Sequence, residues 1–188
     1  MELVARHHEA QRLIARNVVA ELSPLWGILD FYNLQGTTAS WLKAVRPVVE
    51  RGYLTSQYVA AEFVRELRGQ LLDKAKRMDV RVPNPFGPLG FYDPPDRATQ
   101  LKIMMSMNIT GPGWLMENTP PEVDEVRVRD LLDRGFSKSS GAAIRHTLNG
   151  GRGMVVMLAS ADPMAVGVAG VAGEDSCDSC KFLTKPIL

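Results

Sequence analysis

Many apolar residues in the first part of the chain are three, four or seven positions apart, which is the spacing of an amphipathic helix. The first such stripe consists of Leu3, Ala10, Leu13, Ile14, Ala20 and Leu22. A later stripe consists of Tyr58, Ala61, Val64, Leu67, Leu71 and Leu72. Because each stripe needs another element to cover it, residues 1–80 are predicted to form a helical hairpin or bundle.

Helix-breaking residues divide this part into shorter predicted segments. Ser23-Pro24 predicts the end of the first helix and the start of another. Pro47 lacks the backbone N–H that a helix interior needs, so it predicts a bend or break, and Gly52 predicts a helix end. The last helix of this part is then expected from about Thr55 to Met78.

Residues 81–97 have the composition of a linker. The prolines and glycines of this stretch are Pro83, Pro85, Gly87, Pro88, Gly90, Pro94 and Pro95. Proline removes a hydrogen-bond donor and disfavours the helical conformation of the residue before it. The stretch is therefore predicted to be an extended arm between the N-terminal part and a C-terminal part at residues 98–188.

After the arm, the spacing of the apolar residues changes from that of a helix to an alternation of apolar and mostly polar positions. The alternating apolar residues are Leu101, Ile103, Met105, Met107 and Ile109. This two-residue period predicts a β-strand with one apolar face. A strand needs a neighbour for its backbone, either from residues 166–173 or from another chain. The five residues are therefore a candidate partner-binding surface, with pairing inside the chain as the alternative.

Two further helices are predicted in the C-terminal part. Pro120-Pro121-Glu122 predicts a helix start, with proline first and an acid in the first turn, and Gly135 predicts its end. Ser137 then predicts the start of a helix that Asn149-Gly150-Gly151 breaks. The predicted fold class is mainly α, with a helical N-terminal part, a proline-rich arm and a small α+β C-terminal part of one or two strands.

Composition argues against several classes of protein. The 188 residues carry 22 Lys and Arg against 21 Asp and Glu, a formal charge of +1, so no overall field draws the chain to a polyanion. Strong sequence-independent DNA binding is therefore not expected. No apolar run approaches the roughly 20 residues of a membrane-spanning helix, and the first residues are amphipathic rather than signal-like. A soluble protein made in a cytosol is expected.

The clearest candidate for metal chemistry is a pair of thiols. Cys177 and Cys180 have the spacing of a zinc knuckle, in which two thiolates reach the same ion. A closed structural zinc site needs four ligands, and His7, His8 and His146 lie far from the pair in sequence. We therefore expect reduced thiols and no zinc in a single chain, with a zinc site shared by two chains as the alternative.

Patterns for catalysis and nucleotide binding are incomplete. Ser137, His146 and Asp162 supply the residue types of a hydrolase triad, but the chain has no Gly-x-Ser-x-Gly nucleophile motif. Residues 150–153 lack the Lys-Ser/Thr of a nucleotide-binding loop and are expected to form a helix–helix corner. Arg152 is a candidate contact for a phosphate or an acidic partner. Neither enzymatic activity nor a cofactor is predicted.

The order of several short phrases in the C-terminal third is typical of one family. The phrases are Arg145-His146-Thr147-Leu148-Asn149-Gly150-Gly151-Arg152, then Ser160-Ala161-Asp162-Pro163, a Gly/Val/Ala run, and Cys177-Asp178-Ser179-Cys180 with an apolar pair soon after. This order resembles that of the MuF-like minor capsid proteins of tailed phages infecting actinobacteria. Members of that family commonly continue to a further His and Cys pair, which this sequence lacks.

The resemblance implies a structural component of the virion. Such proteins are made in the host cytoplasm and lie in the capsid interior near the portal, in several copies per particle. There they assist head assembly, genome packaging or DNA ejection. The implied partners are the portal protein and other capsid proteins, with weak contacts to packaged DNA and none to a membrane. The alternative interpretation is a cytosolic nucleic-acid-binding module with a zinc knuckle.

Overall fold

The computed structural model describes residues 2–77 and 95–161. Its frame consists of three long helices, α1 (Glu2–Trp26), α2 (Leu34–Arg77) and α5 (Glu125–Ala161). Two shorter helices, α3 (Arg97–Asn108) and α4 (Trp114–Asn118), pack beside them. Within these ranges the fold is mainly α, as predicted, and it contains no β-strand. No helix in the same ranges has the length and apolar character needed to cross a membrane.

One hydrophobic core joins the three long helices with α3 and α4. Its aromatic centre is Trp26 of α1, whose ring meets that of Trp41 edge-on at 5.5 Å and that of Phe136 at 5.6 Å. The other large buried side chains include Val45, Val49, Ile103, Met107, Leu115 and Leu131. Residues from both sides of the predicted arm therefore contribute to the same core. The arm itself lies outside the described residues, except for residues 95–97.

Helices α1 and α2 continue through the predicted proline breaks. Pro24 lies in the last turn of α1, and Pro47 lies inside the 44-residue α2. Pro47 and Lys43, whose carbonyl loses its helical N–H partner, are both exposed, so water can replace the missing bond. Of the predicted bend or break near Pro47, the break is wrong, because packing of α2 against α1 and α5 outweighs the local preference.

Several glycines predicted to end helices lie inside them. Gly52 is within α2, and Gly135, Gly150 and Gly151 are within the 37-residue α5. A Cβ built on Gly52 would lie 2.6 Å from Cγ2 of Val18 on α1. These predicted helix ends are wrong, because the glycines mark close approaches between helices rather than turns.

The segment predicted as a strand is helix α3, so that part of the fold prediction is wrong. Asp96 is the N-cap of α3, and its carboxylate accepts a 2.7 Å hydrogen bond from the Thr99 N–H. The hydrogen bonds from Thr99 lower the pKa of Asp96. The second predicted strand, at residues 166–173, lies outside the described residues.

The alternating pattern of α3 fits a helix because of the helical period. Residues two apart fall on nearly opposite faces of a helix, whereas residues four apart fall on the same face. Ile103 and Met107 are accordingly buried in the core. The other three apolar residues of the pattern, Leu101, Met105 and Ile109, form an exposed row on the opposite face.

Candidate functional site

The glycines of the Leu148-Asn149-Gly150-Gly151-Arg152 phrase lie where α1, α2 and α5 meet. A Cβ on Gly150 would be 2.4 Å from the Tyr53 carbonyl oxygen, and one on Gly151 would be 2.5 Å from Ser56 Oγ. The Ser56 hydroxyl accepts a 3.1 Å hydrogen bond from the Gly151 N–H and donates one of 2.7 Å to Gln11 Oε1. The Gln11 amide then donates to the Ser56 carbonyl at 3.2 Å. These contacts join three helices at one point.

The same geometry corrects the prediction for residues 150–153. The predicted helix–helix corner is wrong, because α5 runs through these residues without a break. The Gly151 N–H is already bonded to Ser56, so it does not point at a ligand at a helix start. Arg152 is exposed, so its guanidinium can reach a phosphate or carboxylate in solution.

The row of exposed apolar residues on α3 is the candidate surface for a protein partner. Leu101 and Met105 of α3, and Ile109, the C-cap residue directly after α3, are 56%, 62% and 61% exposed, and we call them the α3 apolar row. Their spacing of four residues places them along about 12 Å of the helix. Single exposed apolar side chains are ordinary, whereas neighbouring apolar residues on one face are a candidate for an interaction site. Of the five candidates from the sequence, Ile103 and Met107 are core residues instead.

The candidate catalytic residues are not brought together. Ser137 and His146 are nine residues apart on α5, which places them on opposite sides of the helix and about 13.5 Å apart along its axis. Asp162, the third candidate, lies outside the described residues. This helix therefore does not place Ser137 and His146 for proton transfer to each other.

The candidate zinc ligands Cys177 and Cys180 also lie outside the described residues. Among residues 2–77 and 95–161, no group of three or more His, Cys, Asp or Glu side chains is arranged to hold a metal ion. The absence of zinc from a single chain stays a prediction.

Two histidines, His7 and His146, have lowered pKa values. His7 stacks on Phe63 with ring centroids 4.4 Å apart. Burial, and then the neighbouring His8, lowers the pKa of His7 below its ordinary value of 6.5. Burial also lowers the pKa of His146, with the charge of Arg145 as a second cause. In both cases the fold favours the neutral ring.

These shifts predict that the protein loses stability in mild acid. A lower pKa in the folded chain means that the unfolded chain binds more protons. The contribution is fully present above pH 6.5 and is lost as the pH falls through the lowered pKa values. The midpoint of thermal unfolding should therefore fall between about pH 7.5 and 5.5, with a shallower fall in a His7→Gln, His146→Gln variant. Equal slopes for variant and wild type would contradict the assignment.

The contact between Gln11, Ser56 and Gly151 was missed by reasoning from the sequence. A signal for it exists in the small residues Gly52 and Ser56, which are four apart on α2 and face small residues of α5. Small residues at that spacing let two helix backbones approach closely. Considered locally, Gly151 predicts a helix break instead.

Similarity to known proteins adds no further constraint on the function. The chain has no match among known protein families, curated proteins or solved structures.

Proposed function

We propose that the chain is a structural minor capsid protein of a tailed phage, located inside the head near the portal. The observation that carries the proposal is the ordered set of phrases from Arg145 to Cys180, which resembles the MuF-like proteins. The α3 apolar row supports a role in contacts with other proteins. No catalytic role is assigned to the chain.

The α3 apolar row is suited to a weak, adaptable contact. Burying a whole Leu, Ile or Met side chain contributes roughly 1.5–3 kcal/mol, so covering the exposed half of each residue contributes roughly 1 kcal/mol. Met105 lies at the centre of the row, and methionine adapts to differently shaped partners because its side chain is flexible and polarizable. A protein that contacts non-equivalent portal and capsid subunits needs that property.

The direct test of the proposed function is the location of the protein. Mass spectrometry of purified particles from the encoding phage should detect the chain at a copy number well below that of the major capsid protein. Particles made without the gene should show defects in head assembly, packaging or ejection. The proposal is overturned if purified particles lack the protein.

Replacing the α3 apolar row with acids should reduce incorporation into particles. We expect the Leu101→Asp, Met105→Asp, Ile109→Asp variant to lose about tenfold or more in incorporation, since roughly 1 kcal/mol of contact is removed at each position. Its thermal midpoint should stay close to that of the wild type because all three side chains are exposed. Quantitative mass spectrometry of particles measures incorporation, and circular dichroism measures folding.

The matched control places the same three charges elsewhere. Val4, Leu13 and Val126 are also exposed apolar residues, but they lie apart from one another on α1 and α5. A Val4→Asp, Leu13→Asp, Val126→Asp variant should be incorporated normally. Equal losses in the two variants would show that added negative charge, rather than the α3 apolar row, is responsible.

A further inference from the structure

Charge is distributed unevenly along α5. The interval between Asp133 and Asp162 contains no Asp or Glu, although it includes most of the helix. Lys138, Arg145 and Arg152 lie in this interval at a spacing of seven residues. Seven residues are close to two helical turns, so the three side chains share one face and are about 10.5 Å apart along the axis. The result is a straight row of cations.

The three cations of this row are exposed and have no carboxylate partner among the described residues. Lys138 lies over the Trp114 ring, with Nζ 5.3 Å from the ring centroid, a cation–π contact with an uncharged partner. By contrast, Arg134 near the start of α5 is paired with Asp130 at 2.9 Å. The positive charge of the row is therefore not neutralised locally.

Two further cations lie on α1, beside the groove between α1 and α5. This groove has a volume of about 660 Å³ and is lined by Arg12 and Arg16 of α1 and by Ile144, the residue before Arg145. None of the described residues that line the groove is acidic. Arg12 and Arg16 share one acid beside it, Glu9, each at 3.9 Å. We call Arg12, Arg16, Lys138, Arg145 and Arg152 the basic face.

Helix electrostatics do not account for the basic face. The macrodipole favours cations only near the last turn of a helix. Arg145 and Lys138 lie far from Ala161, the last residue of α5, and Arg12 lies in the middle of α1. The formal charge of +1 for the whole chain conceals this local concentration. A field of this kind acts on a nearby polyanion even when the net charge of the protein is small.

We propose that the basic face binds the phosphate backbone of double-stranded DNA without reading its sequence. The evenly spaced cations of α5, together with Arg12 and Arg16 of α1, match a long, stiff ligand with a regular charge, and they form no closed pocket for a single carboxylate. The choice of DNA among polyanions rests on the proposed location inside a phage head. The contact is of the non-specific kind, with an expected dissociation constant of about 10⁻⁴ to 10⁻⁶ M at physiological salt.

The test measures the salt dependence of binding with purified protein and a labelled duplex of arbitrary sequence. Five phosphate contacts predict a slope of about −4.5 for the logarithm of the association constant against the logarithm of the salt concentration. The Lys138→Ala, Arg145→Ala, Arg152→Ala variant should reduce the magnitude of this slope by about 2.7 and lower the affinity at low salt by at least about tenfold. Circular dichroism checks that the variant is folded.

The matched control removes the same charge from other surfaces. Lys43, Arg97 and Lys102 are exposed on α2 and α3, and their replacement by Ala should leave the slope unchanged. Equal loss in the control variant, no binding at low salt, or equally tight binding of poly-glutamate would overturn the proposal; the last result would indicate an acidic protein partner. These measurements need no particles, so a chain that binds DNA yet is missing from particles would contradict only the proposed function.

Discussion

Replacing Gly150 with Ala should destabilise the protein by about 2–3 kcal/mol, which corresponds to a fall of about 5–10 °C in the thermal midpoint. The new Cβ would lie 2.4 Å from the Tyr53 carbonyl oxygen and 3.1 Å from its carbonyl carbon. Both are backbone atoms, so no side-chain rotation relieves the clash and α2 or α5 must move. Intrinsic helix propensity alone would favour Ala by about 1 kcal/mol, so the sign of the change reports the packing.

Gly153 offers a control for this substitution within the same helix. A Cβ on Gly153 would have no atom of the described residues within 4 Å, so Gly153→Ala should stabilise the protein by about 0.5–1 kcal/mol. Thermal and urea unfolding of the two variants measure both effects. If both substitutions raise stability, α2 and α5 do not cross closely at Gly150.

Ile103→Asp should destabilise the protein by about 4 kcal/mol or prevent folding, whereas Met105→Asp should change stability by less than about 0.5 kcal/mol. Ile103 is fully buried against the core, so a carboxylate there loses its hydration without gaining a partner. Met105 is 62% exposed on the opposite face of α3, so an acid at that position stays in water.

This pair of variants also separates the two descriptions of residues 100–109. In a strand, residues 103 and 105 share a face and the two substitutions would have similar effects. In helix α3 they lie on opposite faces and the effects differ by several kcal/mol. Urea unfolding followed by circular dichroism gives the free energies. Similar losses for both variants would contradict the helix.

The helical class of the N-terminal part could be predicted from the spacing of its apolar residues. Ile14 and Leu22 lie on the predicted stripe and are buried. Their periodicity is a local property of the chain, and it specifies a helix whatever covers the stripe. The N-cap of α3 can also be predicted from the sequence, because Asp96 precedes a run of residues compatible with a helix. The two-residue period of the same segment predicts a strand instead, so the two local signals conflict.

The sequence also predicts part of the candidate site, because the apolar character of its residues is a local property of the chain. The alternating residues from Leu101 to Ile109 are recognisable as apolar in the sequence. Their division into a buried pair and an exposed row depends on the helical period and on the contacts of α3 with α2 and α5. A two-residue period alone does not show which face of the segment meets the core.

Helix continuity depended on contacts between distant segments. Gly and Pro inside a helix cost about 1 and 3 kcal/mol, which predicts breaks at Pro47, Gly52 and Gly150 when the chain is considered locally. In the folded protein α2 and α5 continue through these residues, because close packing between helices outweighs that cost. The packing is possible only because Gly52 and Gly150 have no Cβ. The seven-residue spacing of the α5 cations was present in the sequence, but it forms a straight row only because α5 is unbroken at Gly150.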